Sequence, residues 1–280
     1  MKVPPAPAHS VLRANGAAAA VPVRGERDRS FVIFAGFVLA AIALSFKSEL
    51  LAEGQVWVLG LALILLATPA LYGYLRGADK LPAVEHYIPV ALGAITLAGL
   101  ANASVVPEWW KYALLAATFG AGFTISARLD YLRLRDAEKR GHVVVQEGIL
   151  ILGLAGAYLV VVTAITNVIL QLLWIFVITF FASYRSFRIN GTALAPRRAL
   201  IFSLFVGQVV TFLAWAVIAL RSWLILTEGS FAVVLLFAWY INRGLVRHTV
   251  EESFTRHVVL EYMAFAAVLV YLFVSSYQNR

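Results

Sequence analysis

The stretch HTVEESFTRHVVLEY, His248 to Tyr262, sets two histidines, three glutamates and an arginine against the start of an apolar run. An imidazole four residues from a carboxylate, as in His257 and Glu261, serves as a proton shuttle or as half of a metal site. Taken as one helix feeding the run behind it, the stretch puts His248, Glu252 and Arg256 on a wet stripe. Val250, Phe254, His257 and Glu261 then form a nearly opposite stripe. The second stripe carries two apolar residues and is expected to face protein, which points His257 and Glu261 into the molecule. His86 beside Glu85, and His142 near Glu147, are the other imidazole–carboxylate neighbours. The candidate metal ligands are therefore His86, His257 and Glu261. The candidate catalytic groups are Glu251, Glu252, His257 and Glu261. The structural alternative is that His257 and Glu261 bond each other and neighbouring helix ends.

The segment Glu251-Glu252-Ser253-Phe254-Thr255-Arg256 fits E-E-x-x-x-R and resembles the first motif of the CPBP intramembrane proteases. The resemblance covers six residues of 280 and implies glutamates that work with histidines on later helices. Here His257 is the one histidine after Arg256, and the chain ends one span later. The family's later F-x-x-x-H pattern therefore has no counterpart. G-x-S-x-G and H-E-x-x-H do not occur, and no aspartate pair is placed to bind Mg²⁺-diphosphate. Asp79, Asp130 and Asp136 are the aspartates beyond the N-terminal tail. The absence of cysteine excludes disulfides, thiolate metal sites and thiol nucleophiles. No cofactor is specified by these residues.

The elements that must position these groups are long apolar runs. Of the residues, 61% are hydrophobic and 14% charged, against about 25% charged in a soluble domain. Unbroken apolar runs are the pattern of helices that cross lipid, whereas a β-barrel would alternate over short segments. Nine runs stand out: Phe31–Phe46, Val56–Leu75, Tyr87–Val106, Tyr112–Ala127, Gly148–Ile165, Val168–Tyr184, Ala199–Leu220, Trp223–Ile241 and Val258–Tyr277. The sequence thus predicts an all-α polytopic transmembrane bundle over 31–277, preceded by a disordered, Ala/Pro-rich tail over 1–30. The spans number about nine, or eight if the first is cleaved after the small residues Ala43-Leu44-Ser45.

With the N-terminus in the cytoplasm, nineteen of the 23 Lys and Arg residues fall on the cytoplasmic side and four opposite, and every inner connection is richer in them than every outer one. That is the positive-inside bias of a multi-pass protein of the cytoplasmic (plasma) membrane. It also explains the net charge of +8 without nucleic acid as a partner. Membrane lipid, and other membrane subunits, are the expected partners.

Finer expectations follow. Residues 128–147 are expected as a solvated cytoplasmic extension of the fourth helix and a loop, with Gly141 as the helix stop. Thr166–Asn167 makes a minimal outer connection, and the turn between the seventh and eighth spans is expected within Arg221–Ser230, with TEGS, Thr227–Ser230, the favoured place. Gly153, Gly156 and Ala157, like Ala116, Gly120 and Gly122, permit close helix contact. Asp, Lys or Arg at a helix centre costs roughly 2.5–3.5 kcal/mol, and every charged residue falls at the end of a run. Mid-span polar groups are neutral: Asn102, Gln171 and Gln208. A substrate path through the bundle would use Gln208, nearest the midplane, while an interhelical hydrogen bond is the favoured structural role for it. A structural or accessory subunit, or a carrier of a neutral or lipidic solute, fits a charge-free interior best. A hydrolase or metal-dependent enzyme at the cytoplasmic rim is the alternative.

Overall fold

A computed structural model describes residues 68–69, 71–76, 82–102, 109–135, 140–189, 194–220, 227–251 and 255–278. The tail, the first span with its cleavage site, most of the second span, Asp136 and Glu252 lie outside these. The described residues are helical throughout, with no strand. A 3₁₀ turn, Val84–His86, leads into α1, Ile88–Asn102. It is followed by α2 (Trp109–Leu134), α3 (Arg140–Ala164), α4 (Val168–Ile189), α5 (Pro196–Ala219), α6 (Glu228–Val250) and α7 (Arg256–Gln278). Four helices are long and apolar enough to cross a membrane: Gly141–Ala164 within α3, then α4, α5 and α6.

Local chemistry sets the helix ends. Asn167 Oδ1 accepts from the Leu170 amide at 3.1 Å and starts α4 three residues after α3 stops. The side-chain amide of Gln171 donates back to the carbonyls of Val161 and Val162 in the last turn of α3. The short connection expected at Thr166–Asn167 is what forms. Pro196 opens α5, where its missing N–H is no loss.

TEGS behaves differently from expectation. Thr227 is an N-cap whose side chain accepts from the Ser230 amide, so the segment begins α6 rather than turning the chain. Hydroxyl residues three apart satisfy a helix start, and that outweighs the permissiveness of Gly229. Gly141 likewise lies in the first turn of α3 and stops nothing. The extension of α2 past Ala127 is packed rather than solvated: Asp130, Tyr131 and Leu134 are buried. Tyr131 sits against Tyr74, ring centroids 5.2 Å apart, and with Phe123, Ala127, Leu71 and Leu75 forms a small second core.

The main core joins α1, α3, α4, α5 and α6 around Tyr158 and Trp239, both fully enclosed. Lipid gives helices no hydrophobic reason to associate, so close packing and interhelical hydrogen bonds must hold such a bundle. Both are present. Gly156 brings α3 onto α1: a Cβ there would lie 2.5 Å from Thr96 Cγ2. Gly153 meets Leu92 at ordinary contact distance, while Gly122 faces open space. Along α4, Thr179, Ser183 and Ser186 recur at helical spacing. Thr179 shares a hydrogen bond with the Tyr158 hydroxyl (2.6 Å), Ser183 accepts from Trp239 Nε1 (2.9 Å), and Ser186 accepts from Arg243 (2.8 Å).

Candidate functional site

The helices run past the ends of their apolar runs, and the overrun gathers charge. α4 continues beyond Tyr184 through Arg185 and Arg188, and α6 continues beyond Ile241 through Arg243 and Arg247. α3 starts ahead of Gly148 and so includes Gln146 and Glu147. Ion pairs then tie these ends together, so every described arginine falls at this one end of the bundle. Among the described basic residues Lys111, at the start of α2, lies at the other.

Arg185 is the centre. It is 1% exposed, as is Asp130 on α2, and its Nη2 donates to Asp130 Oδ1 at 3.1 Å and to Ser126 Oγ at 3.2 Å. Its Nη1 donates to the main-chain carbonyl of Glu85. Asp130 Oδ1 also accepts from Gln146 Nε2 of α3 at 2.8 Å, and His86 Nδ1 stands 3.3 Å from Asp130 Oδ2. One carboxylate thus joins α2, α3, α4 and the 3₁₀ turn.

Two further pairs flank it. Arg188 holds Glu85 Oε1 at 3.1 Å and donates to the Leu194 carbonyl at 2.9 Å. Arg133 donates to the Arg188 carbonyl at 2.6 Å. Arg243 pairs with Glu147 and lies over the Trp239 ring, 5.0 Å from its centroid. Burying such charges is unfavourable unless partners and hydrogen bonds replace water. Here a carboxylate meets each of Arg185, Arg188 and Arg243. Some hydrogen-bonding capacity is left over at buried atoms: His86 Nδ1, Gln146 Oε1, Arg185 Nε and Arg243 Nε make no hydrogen bond among the described residues.

These charged residues stand at the ends of the apolar runs, but the helices and their packing carry on through them. Glu147, Arg185 and Arg243 lie inside helices of crossing length, though near one end, and Arg185 and Arg243 are buried. An apolar-run boundary marks where polar residues begin. It does not mark where the helix or its packing ends.

The sequence-based site residues fall in several places. The stretch 248–262 is not one helix: α6 ends at Val250, Glu251 is its C-cap, and α7 starts at Arg256. The two stripes drawn through it therefore do not exist as drawn. Glu251 accepts from Arg247 Nε at 2.9 Å, one turn back on α6. His257 and Glu261 occupy exposed positions on α7, and Glu261 accepts from the Tyr240 hydroxyl at 2.8 Å. His86 is buried beside Asp130, and no group of three His, Asp or Glu side chains among the described residues could hold a metal ion. Gln208 is exposed on α5.

Asp130, Arg185 and Arg243 carry the network and were not singled out by spacing or motif. Arg185 and Arg243 read as loop charges of the positive-inside pattern. The available signal was the polar stripe Thr179, Ser183, Ser186, which runs past Tyr184 and Arg185 to where hydropathy falls.

Beside the network, α1 and α4 leave an apolar cavity of about 180 Å³, lined by Ala91, Leu92 and Ile95 on one wall and Trp174, Ile178 and Phe181 on the other. Val84 and Tyr87 close it next to Glu85 and His86. In comparisons with known proteins, no family model, no curated protein and no solved structure matches the chain.

Proposed function

We propose that the chain is a multi-pass protein of the cytoplasmic membrane, with its arginine-rich end in the cytoplasm, acting without catalysis as a structural or accessory subunit of a membrane assembly. The observation in favour is how charge is used. Arg185–Asp130, Arg188–Glu85 and Arg243–Glu147 each join different elements, so the ends of α2, α3, α4 and α6 and the 3₁₀ turn are fastened together. Separating such pairs in apolar surroundings would expose charges to no water. A bundle fastened at one rim suits a part that keeps its shape against neighbours.

The carrier of a neutral or lipidic solute is the second reading, favoured by the apolar cavity between α1 and α4. An enzyme at the same rim would have to build on His86 and Asp130, the imidazole and carboxylate that meet there. Purification of the full chain in mild detergent discriminates. A polypeptide that co-purifies in fixed ratio supports the subunit. A lone chain that moves a solute across reconstituted vesicles overturns it in favour of the carrier.

A further inference from the structure

We infer, resting on the membrane placement proposed above, that the cavity between α1 and α4 seats one acyl chain of an anionic glycerophospholipid whose phosphate lies against Arg188. The walls are apolar along their length, and Phe181 is 39% exposed at the edge, so the cavity is open to a chain entering from the side. A narrow apolar cleft between two helices accommodates a single run of methylenes.

Trp174, Ile178, Phe181, Arg185 and Arg188 succeed one another at steps of four and three residues. They are one stripe of α4, so the arginines follow the cavity-lining residues on the same face of the helix. Arg185 is enclosed and engaged with Asp130, Ser126 and the Glu85 carbonyl. Arg188 is 23% exposed. Its guanidinium gives Nε and Nη2 to Glu85 and one Nη1 hydrogen to Leu194, which leaves two of five N–H groups for an anion. Arg197 and Arg198, exposed in the first turn of α5 just beyond Leu194, add positive charge at the same end. A phosphate diester with net negative charge answers this better than a zwitterion.

The test is native mass spectrometry of the full chain reconstituted with an equal mixture of phosphatidylglycerol and phosphatidylcholine. Phosphatidylglycerol should be retained about fivefold over phosphatidylcholine, the gain one basic residue gives near an anionic surface. Arg188→Gln should abolish the preference. Ala91→Phe, which fills the cavity from α1, should lower retention of both lipids severalfold. Phe181→Ser, at an exposed position where folding is not at stake, should do the same. Equal retention of the two lipids by a chain still embedded in membranes overturns the site and leaves the membrane placement standing. An unchanged preference in Arg188→Gln, or full retention in Phe181→Ser, overturns it as well. A polypeptide released by Ala91→Phe in place of lipid would overturn the choice of occupant. Loss of the chain from the membrane fraction would instead refute the placement on which the site rests.

Discussion

Arg185 on α4 and Asp130 on α2 meet with Nη2 3.1 Å from Oδ1, each 1% exposed, and Gln146 of α3 donates to the same carboxylate oxygen. Removing one partner of such a pair leaves an uncompensated charge, at about 3–5 kcal/mol, whereas replacing both by apolar groups is often nearly neutral. Arg185→Met and Asp130→Leu should each destabilise by that amount, and the double variant by clearly less than their sum. Thermal unfolding of the four proteins in one detergent closes the cycle. Additive losses would mean that the two side chains act separately and that the pair does not fasten α2 to α4.

The two histidines that spacing treats alike should respond differently. His86 is buried beside Asp130, so His86→Ala removes packed volume and a polar neighbour, at about 1–3 kcal/mol. His257 is exposed on α7, and His257→Ala should change stability by no more than about 0.5 kcal/mol. Melting temperatures of both variants check this. The reverse order would return attention to the stretch around Glu251.

Which parts were legible follows from what each signal measures. Hydropathy marks residues that tolerate lipid, and α3, α4, α5 and α6 were found because their apolar runs come close to the roughly 20 residues of a crossing. Their ends were misplaced because Arg185, Arg243 and Glu147 are as helical as the residues before them and differ only in having partners on other helices. A partner across the bundle leaves no local trace. Asp130 pairs with a residue 55 positions away, and Glu147 with one 96 positions away. The small residues were legible in part. Gly156 meets Thr96, but Gly122, of the same type and in a similar run, meets nothing. The helical stripes drawn through His248–Tyr262 failed because one interruption, at Glu251, resets every angle after it.

Gly156 gives a prediction about packing alone. A methyl group there would lie 2.5 Å from Thr96 Cγ2 and 3.4 Å from Thr96 Cβ, and Thr96 is fully buried. Gly156→Ala should therefore force α1 and α3 apart, at about 1–3 kcal/mol. Thr96→Ala removes the clashing methyl and hydroxyl together, so the double variant should recover most of the loss. Unfolding of the two single variants and the double is the measurement. No recovery would place the strain elsewhere than at this contact.

The topology is testable without disturbing any of these contacts, because the chain contains no cysteine and each introduced thiol reports alone. Thr166, between α3 and α4, is exposed at the end opposite the arginines. Ala195 before α5 and Thr255 before α7 are exposed at the arginine-rich end, and replacing them removes no basic residue, so the charge asymmetry that sets orientation is kept. In intact cells a membrane-impermeant maleimide should label Thr166→Cys and leave Ala195→Cys and Thr255→Cys unlabelled until the cells are opened. Labelling of all three from outside would contradict a crossing by α4. The mirror result, with Ala195→Cys and Thr255→Cys labelled and Thr166→Cys protected, would keep the crossings and invert the orientation, placing the arginine network on the outer face.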